Sequence, residues 1–444
     1  MKKSKKILIG SVGIISLLII LPFLIPTQTY LNKAERIASD KLGVPVTITS
    51  GHWLLLPSPR VVANDITIGK DQEVKVAEVV VTPTLTSLFS ATKVIDLKVS
   101  KPLLKQAAIE LISALSSKKS ETSEAVAVNI RHVKIHELQF DWPDTKLPIV
   151  NLEANLTKVN GLESAKLETT DGAVKADITP NGEEHLILVD VKKWTLPVGL
   201  PVFIDQAKLE MHLKDSQLKI PNFDVALYNG KLTGNALISW EKNWRTSGKF
   251  KLANLSVKEP SSLVSKAVYL SGNLFGNGNF SSAAKDAAKL GDNVRAEIKF
   301  KVNNGVLHGL DLVKVASVII KQAQSGGATE FDEFSGLLNV SGKQYHFRDL
   351  KISSGLLAAT GQVKVKPNKA LDGVVEVEMK GSLSMTAIPL VVSGTVSKPV
   401  VLPSKAALAG AIAGTAILGP GVGTSLGIKA GGALDKIKGL FDGK

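Results

Sequence analysis

From Val46 onward the chain repeats one pattern: apolar residues at every second position with charged residues between them. Leu209, Met211 and Leu213 alternate with Glu210, His212 and Lys214, and Ile298, Phe300 and Val302 with Glu297, Lys299 and Lys301. Val363 and Val365 flank Lys364, while Val375, Val377 and Met379 flank Glu376 and Glu378. A period of two is the pleat of a β-strand, so each segment predicts a strand with one dry face and one wet face. A helical domain is excluded over most of the length.

Turn signals separate the strands: Thr179-Pro180-Asn181-Gly182, Tyr228-Asn229-Gly230 and Lys366-Pro367-Asn368-Lys369 read as connections of antiparallel hairpins and meanders. Helical spacing is confined to short stretches. Leu31, Ala34, Ile37, Ala38 and Leu42 form an amphipathic brace stopped by Gly43-Val44-Pro45. Leu103 to Leu115, Ser261 to Leu270 and Leu310 to Gln324 read as further helices, and Ser116 to Glu124 as a polar linker. At ~4.8 Å per strand, about twenty strands in one sheet extend on the order of 100 Å, and the dry face needs a cover or becomes a trough. The period alone does not separate a trough from the closed core of a sandwich.

The N-terminus sets the compartment. Lys2, Lys3, Lys5 and Lys6 precede an uncharged run of nineteen residues, Ile7 to Ile25, the length of a membrane-crossing helix. Lysines stay on the cytoplasmic side, which sends the body across the membrane. No small-residue cleavage site follows, so an uncleaved single-pass anchor is expected in place of a signal peptide. At the other end, Ala406 to Ile428 is uncharged, and Gly419, Gly423, Gly427 and Gly431 recur every four residues, a spacing that suits close helix approach. Leu434, Ile437, Leu440 and Phe441 then lie opposite Asp435, Lys436, Lys438 and Asp442, giving an amphipathic segment suited to docking on a membrane or a partner.

Composition narrows the chemistry. The 444 residues carry no cysteine, which removes disulfides and thiolate sites, and a formal charge of +14, which suits an anionic partner. The excess is lysine spread along the chain, without the Arg and aromatic clusters of a nucleic-acid reader, so nucleic acid is not an expected partner. His132 and His136 sit in a strand-like segment without the glutamate a zincin needs, and read as solvated strand histidines. Gly272-Asn273-Leu274-Phe275-Gly276-Asn277-Gly278 lacks dinucleotide-fingerprint spacing and reads as a turn. With no nucleophile elbow, Walker loop or EF-hand, the chain is expected to be no enzyme, with no catalytic residue, no metal and no cofactor.

Both ends of the body resemble one family. Leu42-Gly43-Val44-Pro45-Val46, Pro57 to Gly69 and Leu97 to Pro102 are similar to the N-terminal region of AsmA-like proteins. Asn303 to Leu312, Thr329 to Gly336, Gly361-Gln362-Val363 and Ile388 to Thr395 followed by Lys398-Pro399 resemble the family's C-terminal region in order and spacing. The resemblance divides the chain into an anchor (1–26), an N-terminal region with its brace helix (27–120), a central sheet (121–300), a C-terminal region (301–404) and a tail (405–444). It implies an inner-membrane protein of Gram-negative bacteria, with TamB a larger relative. The implied body is an elongated, curved antiparallel sheet projecting an apolar groove into the periplasm. It implies phospholipid as cargo for outer-membrane biogenesis, with the eleven alternating side chains named first as the groove lining. The inner membrane is then one partner, and the outer membrane or an envelope protein, met through the tail, another. The competing reading is a periplasmic scaffold that assembles outer-membrane proteins or a secretion machine without carrying lipid.

Overall fold

The computed structural model describes residues 27–108, 111, 128–142, 146–159, 161–197, 201–317, 326–380 and 387–410. The anchor residues Lys2, Lys3, Lys5, Lys6, Ile7 and Ile25, the linker Ser116 to Glu124, and the tail residues from Gly419 to Phe441 lie outside the described residues. Among the described residues no helix is long and apolar enough to cross a membrane.

The chain forms two compact units, Met1–Pro201 and Val202–Lys444, and the division falls within the stretch 121–300 expected as one central region. The first unit begins with helix α1 (Thr27–Leu42) and continues as nine strands: β1 (Val46–Leu54), β2 (Arg60–Ile68), β3 (Val74–Pro83), β4 (Lys93–Lys105), β5 (Val128–Asp141), β6 (Val150–Leu156), β7 (Leu162–Thr169), β8 (Val174–Asn181) and β9 (Glu184–Thr195). Consecutive strands pair antiparallel with one exception. β4 and β5 run parallel, with Leu97 beside Val133 and Val99 beside Ile135. This corrects the expectation of hairpins throughout, and the reason is the connection: residues 106–127 are long enough to carry the chain back to the start of β4. The helix expected from Leu103 is also corrected, because Leu103 and Leu104 finish β4, paired with Lys75 and Val74 of β3.

The second unit holds twelve strands in a meander: β10 (Phe203–Lys214), β11 (Gln217–Leu227), β12 (Gly230–Ser239), β13 (Trp244–Ser256), β14 (Tyr269–Ala284), β15 (Arg295–His308), β16 (Ala328–Ser341), β17 (Gln344–Ser353), β18 (Leu357–Val365), β19 (Leu371–Met379), β20 (Ile388–Thr395) and β21 (Lys398–Pro403). Helix α2 (Lys258–Val264) precedes β14, and α3 (Leu312–Ser317) lies between β15 and β16. The helix expected over Ser261 to Leu270 is therefore earlier and shorter, since Tyr269 and Leu270 already pair with His308 and Leu307. The glycine-rich stretch from Gly272 to Gly278, expected as a turn, lies inside β14. Tyr228 and Asn229, both at positive φ (48° and 59°), do make the two-residue turn from β11 to β12.

Extra residues bend individual strands. Relative to a neighbouring strand, β5, β13, β15 and β17 each carry one more residue, beside Glu137, Asn254, Asn304 and Asp349 respectively. Those four have φ of 55°, 57°, 49° and 51°, the left-handed conformation of a bulge that raises local twist.

Candidate functional site

The one-sided strands assemble into continuous apolar rows. In the first unit, Val79, Val99, Ile135, Leu152, Leu167, Ala176 and Val189 are successive partners from β3 to β9. A second row runs through Val81, Leu97, Val133, Ala154, Ala165, Ile178 and Ile187. The opposite face carries Lys98, Lys134, Glu153, Lys166 and Asp177 in equivalent register. One end of the apolar face is roofed by α1: Leu31 is buried, and a β-carbon added to Gly51 falls 2.8 Å from its Cδ2. Ala38 and Leu42 of α1 pack on the cluster of Val46, Ile66, Val74 and Val76.

In the second unit the row starting at Leu209 runs through Phe223, Gly234, Phe250, Gly278, Ile298, Leu338, Phe347 and Val363. Large and absent side chains alternate. Phe223, Phe250, Phe280 and Phe300 each stand beside a glycine of a neighbouring strand: Gly234, Gly278, Gly248 and Gly336. The rings lie down over those glycines. A β-carbon on Gly234 falls 2.6 Å from the Phe223 Cζ, and one on Gly248 falls 2.8 Å from Phe280. An aromatic side chain covering a cross-strand glycine shields its backbone and pins the register. Phe250 so covers Gly278 in the glycine-rich segment of β14, and that cue was present in the sequence of β13.

These rings are half-buried. Helix α2 packs against β14, and α3 against β16, β19 and β21. The other face carries Lys208, Lys249, Lys251, Glu297, Lys299 and Lys301, all exposed. On it, the Lys301 Nζ lies 2.7 Å from Glu333 and, with the Ser335 hydroxyl, holds that carboxyl below the usual range.

Of the eleven side chains singled out as lining, Leu209, Met211, Leu213, Ile298, Phe300, Val363, Val365, Val375 and Met379 are half-buried on their strands. Val302 and Val377 are buried in closed clusters, at 1% and 0% exposure, and Val363, Val375 and Met379 pack against the cluster of Val377. Val302 packs with Val257 and Phe331. Val377 packs with Leu312, Leu357, Ala359, Leu390, Val392 and Val401, where strands β18 to β21 close around α3. The Ser265 hydroxyl, ahead of β14, donates to the Val396 carbonyl at 2.9 Å and ties the β20–β21 turn to the loop before β14. The apolar face of this unit therefore has an open part and a closed end.

The two strand histidines sit on β5 in hydrogen bonds: His132 Nδ1 is 2.9 Å from Asn155 Oδ1, and His136 Nδ1 is 2.9 Å from Asn151 Oδ1. Among the described residues no group of side chains is arranged to hold a metal ion. A family model described as AsmA family matches residues 95–343, from β4 to the turn after β16. No curated protein matches the chain.

Proposed function

The chain belongs to the AsmA family, and on that premise we propose that it carries phospholipid along its apolar sheet faces between the inner and outer membranes, in support of outer-membrane biogenesis. In this reading the lysine-flanked segment Ile7 to Ile25 anchors the chain in the inner membrane, the body is periplasmic, and the tail docks on the outer membrane or an envelope protein. No bond is made or broken, so the protein is not an enzyme.

The single observation that carries the reading is the row of half-buried phenylalanines Phe223, Phe250, Phe280 and Phe300, from β11 to β15. Desorbing a phospholipid exposes its chains at ~0.8 kcal/mol per methylene. A face such as that of Phe223, Phe250 and Phe280 offsets this cost while the headgroup stays in water. The rings lie flat over glycines, so they present apolar area without filling the space above the sheet.

The scaffold reading needs a strand edge open to a partner. The edges of this chain are blunted. Ser404 donates to Pro389, so positions 399, 401 and 403 of β21 face outward, and Pro399 and Pro403 have no N–H to offer. On β1, the N–H groups of Val46 and Ile48 donate to Ser39 Oγ (2.9 Å) and Glu35 Oε1 (2.6 Å) of α1.

The test is photo-crosslinking in cells, with the probe at Phe250 or Phe300 and, on the opposite face, at Lys249 or Lys299. Phospholipid adducts at the first pair and none at the second are expected. A folded, abundant protein without adducts at Phe250 and Phe300 refutes lipid carriage and leaves the scaffold.

A further inference from the structure

At the closed end of the second unit the strands do not pack solid. A cavity of about 180 Å³ remains between β15 to β19 and the β20–β21 pair, with Leu307, Phe334, Ala359, Leu371, Val392 and Val401 in its wall. The wall is wholly apolar. Val268, from the loop that carries Ser265, and Pro399, beside the turn that Ser265 holds, both line it. The cavity is thus built by the closure of the sheet. Leu312 of α3 roofs it, fixed by a buried latch in which its N–H donates to Thr329 Oγ1 (2.8 Å) while that hydroxyl donates to the Leu310 carbonyl (2.8 Å).

We propose that this cavity is a socket for the methyl end of one phospholipid acyl chain, entered from the open face. The inference rests on the lipid-carrying reading above and adds to it a fixed orientation and a dead end. Its chemistry excludes the headgroup, because no polar atom in the wall offers a hydrogen bond and a buried unpaired polar group is strongly disfavoured. Its size excludes two chains. At about 180 Å³ it is comparable with a dry apolar cavity of ~150 Å³, which takes one small apolar guest. The route is aromatic. Phe300 on the open floor meets Phe334 of the socket wall edge-to-face, with ring centroids 5.5 Å apart.

The test uses the full chain in proteoliposomes containing one of two phospholipid probes, with a diazirine either at the terminal carbon of one acyl chain or next to its ester. Adducts are mapped by mass spectrometry. The terminal probe is expected on the peptides of Leu307, Leu371 and Val392, and the ester-side probe on those of Phe250 and Phe280. Ala359→Leu, which fills the socket, is expected to lower the socket adducts at least tenfold while open-face adducts persist. Val268→Phe fills it from the loop and gives the same result if Ala359→Leu fails to fold. Open-face adducts from both probes with an unlabelled socket overturn the socket and leave lipid carriage standing, as does equal socket labelling by both probes. Absence of adducts anywhere on the apolar faces overturns lipid carriage itself, and the socket with it.

Discussion

Leu312→Ala tests whether the closed end is a packed core. Leu312 is 3% exposed and rests on Leu357, Ala359, Val377, Leu390, Val392 and Val401. The substitution deletes three carbon groups, which at ~0.8 kcal/mol each removes about 2.4 kcal/mol of transfer free energy. The site adjoins the 180 Å³ cavity, so the void it leaves joins space that is already empty. If on the order of 40 Å³ stays unfilled, a cavity cost of ~24 cal/mol per Å³ adds about 1 kcal/mol. The expected loss is therefore about 3–4 kcal/mol. The assay is urea unfolding of the full chain in mild detergent, read from the fluorescence of Trp240 and Trp244, a stacked pair in the second unit with ring centroids 5.4 Å apart. A transition that moves by less than about 1 kcal/mol refutes the reasoning, because it means α3 does not seal that end.

Three further outcomes are expected. Ser265→Ala removes the clasp on the Val396 carbonyl and costs about 1 kcal/mol; hydrogen exchange in the β20–β21 turn rises, and unchanged protection there counts against a clasp. Gly234→Ala places a β-carbon 2.1 Å from the Lys249 carbonyl oxygen, so thermal unfolding shifts down by more than the few tenths of a kcal/mol of an ordinary surface change; an unshifted transition means that strands β12 and β13 part easily. The Glu333 carboxyl, held low chiefly by its hydrogen bond from Lys301, favours the fold above its unfolded pKa of ~4.3 and loses that contribution as pH falls. Lys301→Met is expected to raise the Glu333 pKa in an NMR titration, with a small effect on stability because both groups are largely exposed; an unmoved pKa removes Lys301 as the cause.

Much of the strand order was legible in the residues. Alternation at Leu209 to Leu213 and at Ile298 to Val302 placed β10 and β15, and Tyr228-Asn229-Gly230 placed the turn before β12. The misreadings share a cause: a local pattern was ambiguous until its neighbours were known. Leu103 and Leu104 fit a helix or a strand, and β3 decided for the strand. The glycine-rich stretch of β14 looked like a turn because the ring that covers Gly278 comes from another strand, that of Phe250, more than twenty residues away along the chain.

The sequence by itself determined which side of each strand is dry, because the side-chain period follows directly from the pleat. It also determined family and charge, with apolar and lysine-rich faces written into the same strands. Whether a dry face stays open or closes was decided by tertiary structure alone. Phe300 and Val377 have equivalent alternation, yet one is half-buried and the other is sealed beneath α3. Closure depends on contacts such as that of Ser265 with Val396, 131 residues apart, and no local period encodes a contact of that range.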